Sequence, residues 1–176
     1  MSLTTREIWA ALHGMILGGG FLLSFSAGMT GLYSLRQGWL SADGIKERIR
    51  RMKWYTSIMA IVSTLTVFTG TYIVYPWYRA AAPEGADLTA YPKAQLLANA
   101  NLAAWHNFGM EWKEHVAWLS PILAFTVAFL VIKYGPALAE NQQLRRIAIW
   151  LFVLAFVAAA VAGLLGAFIT KAAPIV

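Results

Sequence analysis

The chain has 176 residues, 59% of them hydrophobic and only 12% charged, with a formal net charge of +6. A soluble domain is about 25% charged, so this composition excludes a water-covered globular surface, and the basic excess, placed between apolar runs, points to membrane topology rather than to nucleic acid. The absence of cysteine excludes disulfides, thiolate-held iron–sulfur clusters and c-type haem attachment.

A hydrocarbon core about 30 Å thick takes roughly 20 apolar residues per helix. Four runs meet that requirement: 8–35, 54–76, 115–132 and 147–170. They use more than half the chain and leave no room for a separate soluble domain. Residues 1–176 therefore read as one membrane domain, an all-α integral membrane protein built as a four-transmembrane-helix bundle.

Span one follows Thr4 and Thr5, either of which can cap a helix. From Ile8 to Leu35 it carries no charge, and His13 is its one titratable group before Tyr33. Gly14 and Gly18 form a GxxxG pair, which admits a second backbone or a flat ligand at close range. The small residues around Ser24-Phe25-Ser26-Ala27 imitate a signal peptide, but the apolar run is too long for one and reads as a retained span.

Loop one holds six of the 14 basic residues: Arg36, Lys46, Arg48, Arg50, Arg51 and Lys53. Ser41-Ala42-Asp43-Gly44 predicts a turn. Ile45–Lys53 predicts a short basic amphipathic segment on the membrane surface, favoured by anionic lipid. Span two is rich in Thr, Val and Ile, and Pro76 is expected to end it. Trp54 and Tyr55 at one end, and Tyr75, Trp77 and Tyr78 at the other, form interfacial belts.

The loop 77–113 contains a turn at Pro83–Asp87 and a second proline, Pro92. From Lys93 to Trp112 its composition predicts an interfacial helix on the outer surface. Span three begins near Glu114 with His115, and Pro121 predicts a kink near Ala117. Pro136 is expected to close that helix. Span four has no titratable group, and Ala159, Gly163 and Ala167 form a packing ridge. Loop three carries Lys133, Arg145 and Arg146. The positive-inside bias puts loops one and three in the cytoplasm of a bacterial-type inner membrane, with both termini and loop 77–113 on the periplasmic side.

An imidazole inside hydrocarbon is costly unless something binds it. His13 on span one and His115 on span three lie at similar depth in different spans, as the two axial ligands of a six-coordinate haem b must. Gly20 lies seven residues after His13, hence on the same helix face, and with Ser24 it would leave a smooth wall for a porphyrin. His106 stands nine residues before His115, so a continuous helix would point the two in opposite directions. Glu111 and His115, four apart with Glu114 adjacent, offer a weaker carboxylate–imidazole alternative for iron or zinc. An imidazole with Trp118 could instead hold a quinone. Hydrogen-bonded structural histidines and interfacial aromatics are the competing explanations for each of these. The spans carry no acidic, Lys or Arg residue that would make an ion path.

Ala11-Leu12-His13-Gly14, the basic run Arg48–Trp54 and Thr69-Gly70-Thr71-Tyr72 resemble small four-helix haem-binding membrane proteins of the HemJ-type protoporphyrinogen oxidase and CopD-like group. The resemblance covers roughly 70 residues. It implies that His13 meets haem and that Lys113 matches a lysine opening span three; the long outer loop and His115 depart from the pattern. The sequence reading is thus a b-type cytochrome-like subunit of a respiratory or photosynthetic electron-transfer complex, with other membrane subunits, the lipid bilayer and a periplasmic electron carrier as partners. A non-catalytic accessory subunit and a HemJ-like porphyrinogen oxidase are the alternatives.

Overall fold

The computed structural model describes residues 3–174. Apart from one isolated bridge, Gln37–Leu40, the described residues form helices, turns and loops. The elements are α1 (Thr5–Ser34), α2 (Ala42–Tyr78), α3 (Pro92–Leu97), α4 (Trp105–Glu140) and α5 (Gln142–Ala172). All but α3 are long and apolar enough to cross a membrane. Their outward faces carry large apolar side chains such as Leu23, Phe125, Phe129, Trp150, Leu154 and Leu164, which suits hydrocarbon and would be a liability in water.

Local chemistry sets the helix starts. At α1 the Thr4 hydroxyl accepts from the Glu7 backbone N–H while the Glu7 carboxylate accepts from that of Thr4, a capping box that satisfies two orphan donors. Ser41 caps α2 by accepting from Gly44 N–H, and Asn141 caps α5 by accepting from Leu144 N–H.

Three expectations change at the helix ends. The basic stretch Ile45–Lys53 is not a separate surface segment: it is the first third of α2, continuous with the apolar part. Pro76 does not end α2, because the π-turn Gly70–Val74 shifts the hydrogen-bond register just before it. The proline then sits at the start of the next α-helical turn, where its missing N–H costs least. Pro136 does not close α4 either. The non-helical turn at Tyr134 (φ −120°, ψ 21°) absorbs the proline, and the helix runs on to Glu140, leaving Asn141 as the junction to α5. The expected break near Ala117 is present, as a turn over 116–118 inside α4.

The expected surface helix over Lys93–Trp112 is only partly formed. α3 covers its first residues, and the stretch from Trp105 is the first turns of α4, folded onto α5. There Trp105 stacks on Phe168 with ring centroids 5.2 Å apart, and Gly109 lies against Leu165 and Ile169.

Helices adjacent in sequence pack against each other: α1 on α2, α2 on α4, α4 on α5, with a lighter α1–α5 contact closing the ring. That closure is aromatic: Phe25 stacks on Phe156 at 4.1 Å and meets Phe152 tilted at 5.2 Å. Missing side chains allow the tightest approaches. A Cβ on Gly28 would fall 2.9 Å from the Phe152 ring, and one on Gly31 2.5 Å from Met52.

The apolar interior is divided. A large cluster including Phe21, Met59, Val127 and Phe152 fills the half nearer the basic loops, and a smaller one of Tyr78, Leu96, Met110, Ile169 and Ala173 closes the end nearer the termini. Between them all four long helices contribute polar or minimal residues: His13, Thr69 and Gly70, Lys113 and Ser120, and Gly166. This layer is where the candidate site lies.

Candidate functional site

Three π-turns occur among the described residues: Leu12–Ile16, Gly70–Val74 and Trp105–Met110. All lie in the half of the bundle that holds the termini. A π-turn inserts an extra residue into the helical ladder and re-aims its side chains, and such turns concentrate at functional sites. The first carries His13, the second begins at the glycine facing His13, and the third carries His106.

His13 Nδ1 lies 3.0 Å from the Thr69 hydroxyl oxygen. That hydroxyl has one proton, and it is directed at the carbonyls of Leu65 (2.8 Å) and Thr66 (3.1 Å). With that proton on its own helix, Thr69 accepts, His13 Nδ1 carries the hydrogen, and in the neutral ring Nε2 holds the lone pair. The ring also needs space on α2. A Cβ on Gly70 would lie 2.9 Å from His13 Cε1, so the glycine makes the seat for the imidazole.

Lys113 mirrors this on α5. Its ammonium donates to the Ala162 carbonyl at 3.1 Å, and a Cβ on Gly166 would lie 2.6 Å from Nζ. On α4, which carries Lys113, buried polar atoms lack partners among the described residues: Trp112 Nε1, Glu114 Oε1 and Ser120 Oγ; Gln95 Oε1 on α3 is a fourth. Orphaned polar atoms at this density in an apolar bundle mark a place that water or a ligand completes. Over it, the buried Tyr78 hydroxyl meets His106 Nδ1 at 2.9 Å, Tyr78 stacks on Tyr75, and Arg79 lies over the Tyr75 ring.

The sequence-predicted residues divide. His13 faces the bundle. His115 does not: its side chain is 71% exposed, and its Nδ1 donates to the Glu111 carbonyl of its own helix at 2.9 Å. The cause is helical phase. Lys113 points inward, and residues two positions away on either side, Glu111 and His115, are rotated by about 200° to the outer face. The structure thus does not bring His13 and His115 together, and the Glu111–His115 pair faces outward as well. His106 lies inside, on Tyr78. Gly20 shares the α2-facing side with His13, as its spacing predicts, but Val62 stands opposite it, 3.7 Å from a would-be Cβ, so that wall is filled by α2. Gly14, Gly18, Gly19 and Gly163 have nothing within 4 Å of a would-be Cβ; these parts of the expected packing ridges are unused within the chain.

Spacing alone missed Thr69, Gly70 and Gly166 as partners. Lys113 entered only through the resemblance. The available signal was glycine opposite a bulky polar residue, which becomes visible only when the pairing of the helices is known.

No protein-family model, curated protein or solved structure matches the chain.

Proposed function

We propose that this chain is a multi-pass membrane subunit that holds a haem b in the polar layer and carries electrons within a respiratory or photosynthetic complex, with His13 as its protein ligand. The observation that carries the reading is the His13–Thr69 hydrogen bond. With Thr69 as acceptor, the hydrogen sits on Nδ1 and Nε2 keeps the lone pair, the arrangement that metal-bound histidines use. The polar chemistry nearby supports the reading. Trp112, Glu114 and Ser120 offer unpartnered polar atoms, and the Lys113 ammonium supplies a cation for a propionate. A bound haem would supply one-electron chemistry; the protein would supply the ligand, the counter-charge and a polar layer between two apolar clusters. The bis-histidine form gains no support, because His115 points away, and His13 is kept as the single histidine ligand.

The open faces favour a second reading, an accessory subunit docked on larger membrane subunits through Gly14, Gly18 and Gly163. An absorption spectrum of the purified protein separates the two. The haem reading expects a Soret band and a reduced α-band of b type, lost in His13→Ala and kept in His115→Ala. A colourless protein that stays so when haem is added leaves the accessory reading. Loss of the bands in both variants would restore the two-histidine form.

A further inference from the structure

At the opposite end of the bundle, α1 and α2 leave a groove of about 420 Å³ between them. Leu23 and Ala27 of α1, with Met52 and Tyr55 of α2, form its apolar walls, and Arg48 and Arg51 stand among its lining residues. The order along the helices is informative. α1 runs toward the basic end and α2 runs away from it, so Gly31 and Arg48 lie at the groove's mouth and Leu23 and Tyr55 at its inner end. From Leu23 to Gly31 the groove extends about 12 Å at 1.5 Å per residue. It is charged at one end, lined along its length by apolar side chains with the hydroxyls of Ser26 and Thr30 among them, and open to the side of the bundle.

The two arginines differ. Arg51 is held by Glu47, Nε to Oε1 at 2.7 Å, and Arg50 takes the other Glu47 oxygen at 2.6 Å. Glu47 is thereby saturated. Arg48 makes no ion pair with any acidic side chain among the described residues, although it is half-buried at the groove. A half-buried guanidinium without a carboxylate, above an apolar slot between two helices, lacks an anion that carries a hydrocarbon tail. A glycine at position 31 brings Met52 into the α1–α2 contact and keeps the mouth narrow, which suits one chain.

We propose that this groove binds one anionic phospholipid, its phosphate on Arg48 and Arg51 and an acyl chain along Ala27 and Leu23. The inference is independent of the haem reading, since it concerns the other end of the bundle.

The test uses the full chain purified in dodecyl maltoside, titrated with phosphatidylglycerol or with phosphatidylcholine of the same acyl chains, bound lipid being counted by native mass spectrometry. Phosphatidylglycerol should bind about fivefold tighter than phosphatidylcholine, and excess inorganic phosphate should not displace it. Arg48→Gln should remove the preference. Ala27→Leu should fill the groove and weaken both lipids without changing any charge, while Arg146→Gln, at the α4–α5 junction of the same end but outside the groove lining, should leave binding as it is. Equal affinity for the two lipids, a preference that survives Arg48→Gln, or an equal loss in Arg146→Gln would each overturn the proposal. Displacement by inorganic phosphate would overturn it in favour of a free-anion site. Circular dichroism melts of each variant ensure that lost binding is read only from folded protein.

Discussion

The imidazole Nδ1 of His13 and the hydroxyl of Thr69, 56 residues away on the next helix, share a hydrogen bond of 3.0 Å. This bond ties α1 to α2 at the level where the core turns polar. Thr69→Val keeps the shape and removes the acceptor. Hydrogen bonds between apolar helices contribute about 0.6 to 1.7 kcal/mol, so the variant should lose about 1 kcal/mol in detergent unfolding followed by circular dichroism. On the haem reading it should also weaken haem retention by about 10- to 100-fold, the usual effect of removing a ligand's orienting partner. Thr69→Ser should restore most of both. A Thr69→Val protein that binds haem like the parent would remove Thr69 from the site.

Glycine has two different meanings in α1, and substitution separates them. Gly28 is buried where a Cβ would meet Phe152 at 2.9 Å and Thr56 Cγ2 at 3.6 Å, and Phe152 is itself fully buried. Gly28→Ala should therefore cost about 1 to 3 kcal/mol, as overpacking does. Gly18 faces open space, so Gly18→Ala should be neutral or raise stability by up to about 1 kcal/mol through helix propensity. If Gly18→Ala destabilises the protein in membranes of the expressing cells but not in detergent, a partner helix occupies that face there, which would support the accessory reading.

Much of the architecture was readable because a charge-free run has few alternatives: His13 stood out as a lone imidazole in such a run, and four runs gave four long helices. Boundaries were less readable because a helix does not stop where hydrophobicity stops. Ala42–Lys53 stays helical on its own propensity and Glu47–Arg pairs, and prolines 76 and 136 are absorbed by a π-turn and by a non-helical turn. The site was half readable. The face shared by His13 and Gly20 follows from helical period, but only the pairing of α1 with α2 reveals that Val62 fills the space before Gly20 while Gly70 opens it before His13. His115 was misplaced because its direction depends on Lys113 turning inward, and a lysine beside an interfacial loop gives no hint of that. Thr69 was hidden among many hydroxyls that bond only their own helix.

Arg145 shows how the α4–α5 junction can be one residue long. It is buried, 8% exposed, and its guanidinium donates to the carbonyls of Leu138 at 2.8 Å and Ala139 at 3.2 Å. These belong to the last turn of α4, where carbonyls have no partner in the helix. Arg145→Gln cannot span both and should lower stability by about 1.5 to 3 kcal/mol, the range for charge-assisted bonds. Arg145→Lys should fall between, because an ammonium reaches one carbonyl better than two. Denaturant unfolding in mixed micelles measures both, and a silent Arg145→Gln would show that water caps α4 equally well.

The Tyr78–His106 contact joins the end of α2 to the third π-turn and closes the polar layer from above. Tyr78 is almost fully buried, so its hydroxyl cannot turn to water when His106 is removed. Tyr78→Phe leaves His106 Nδ1 without its partner, and His106→Phe leaves the Tyr78 hydroxyl stranded. Each should cost about 1 kcal/mol or more, the penalty of an unmet buried polar group. The double variant removes both groups at once and should cost less than the sum, with a coupling of about 0.5 to 1 kcal/mol. Strict additivity in the cycle would mean the two side chains act independently and that another contact, such as Trp105 on Phe168, holds the first turn of α4 in place. If the lid matters to the layer beneath, Tyr78→Phe should also raise the hydrogen-exchange rate of backbone amides in the Trp105–Met110 turn while leaving those of the Phe152 cluster unchanged.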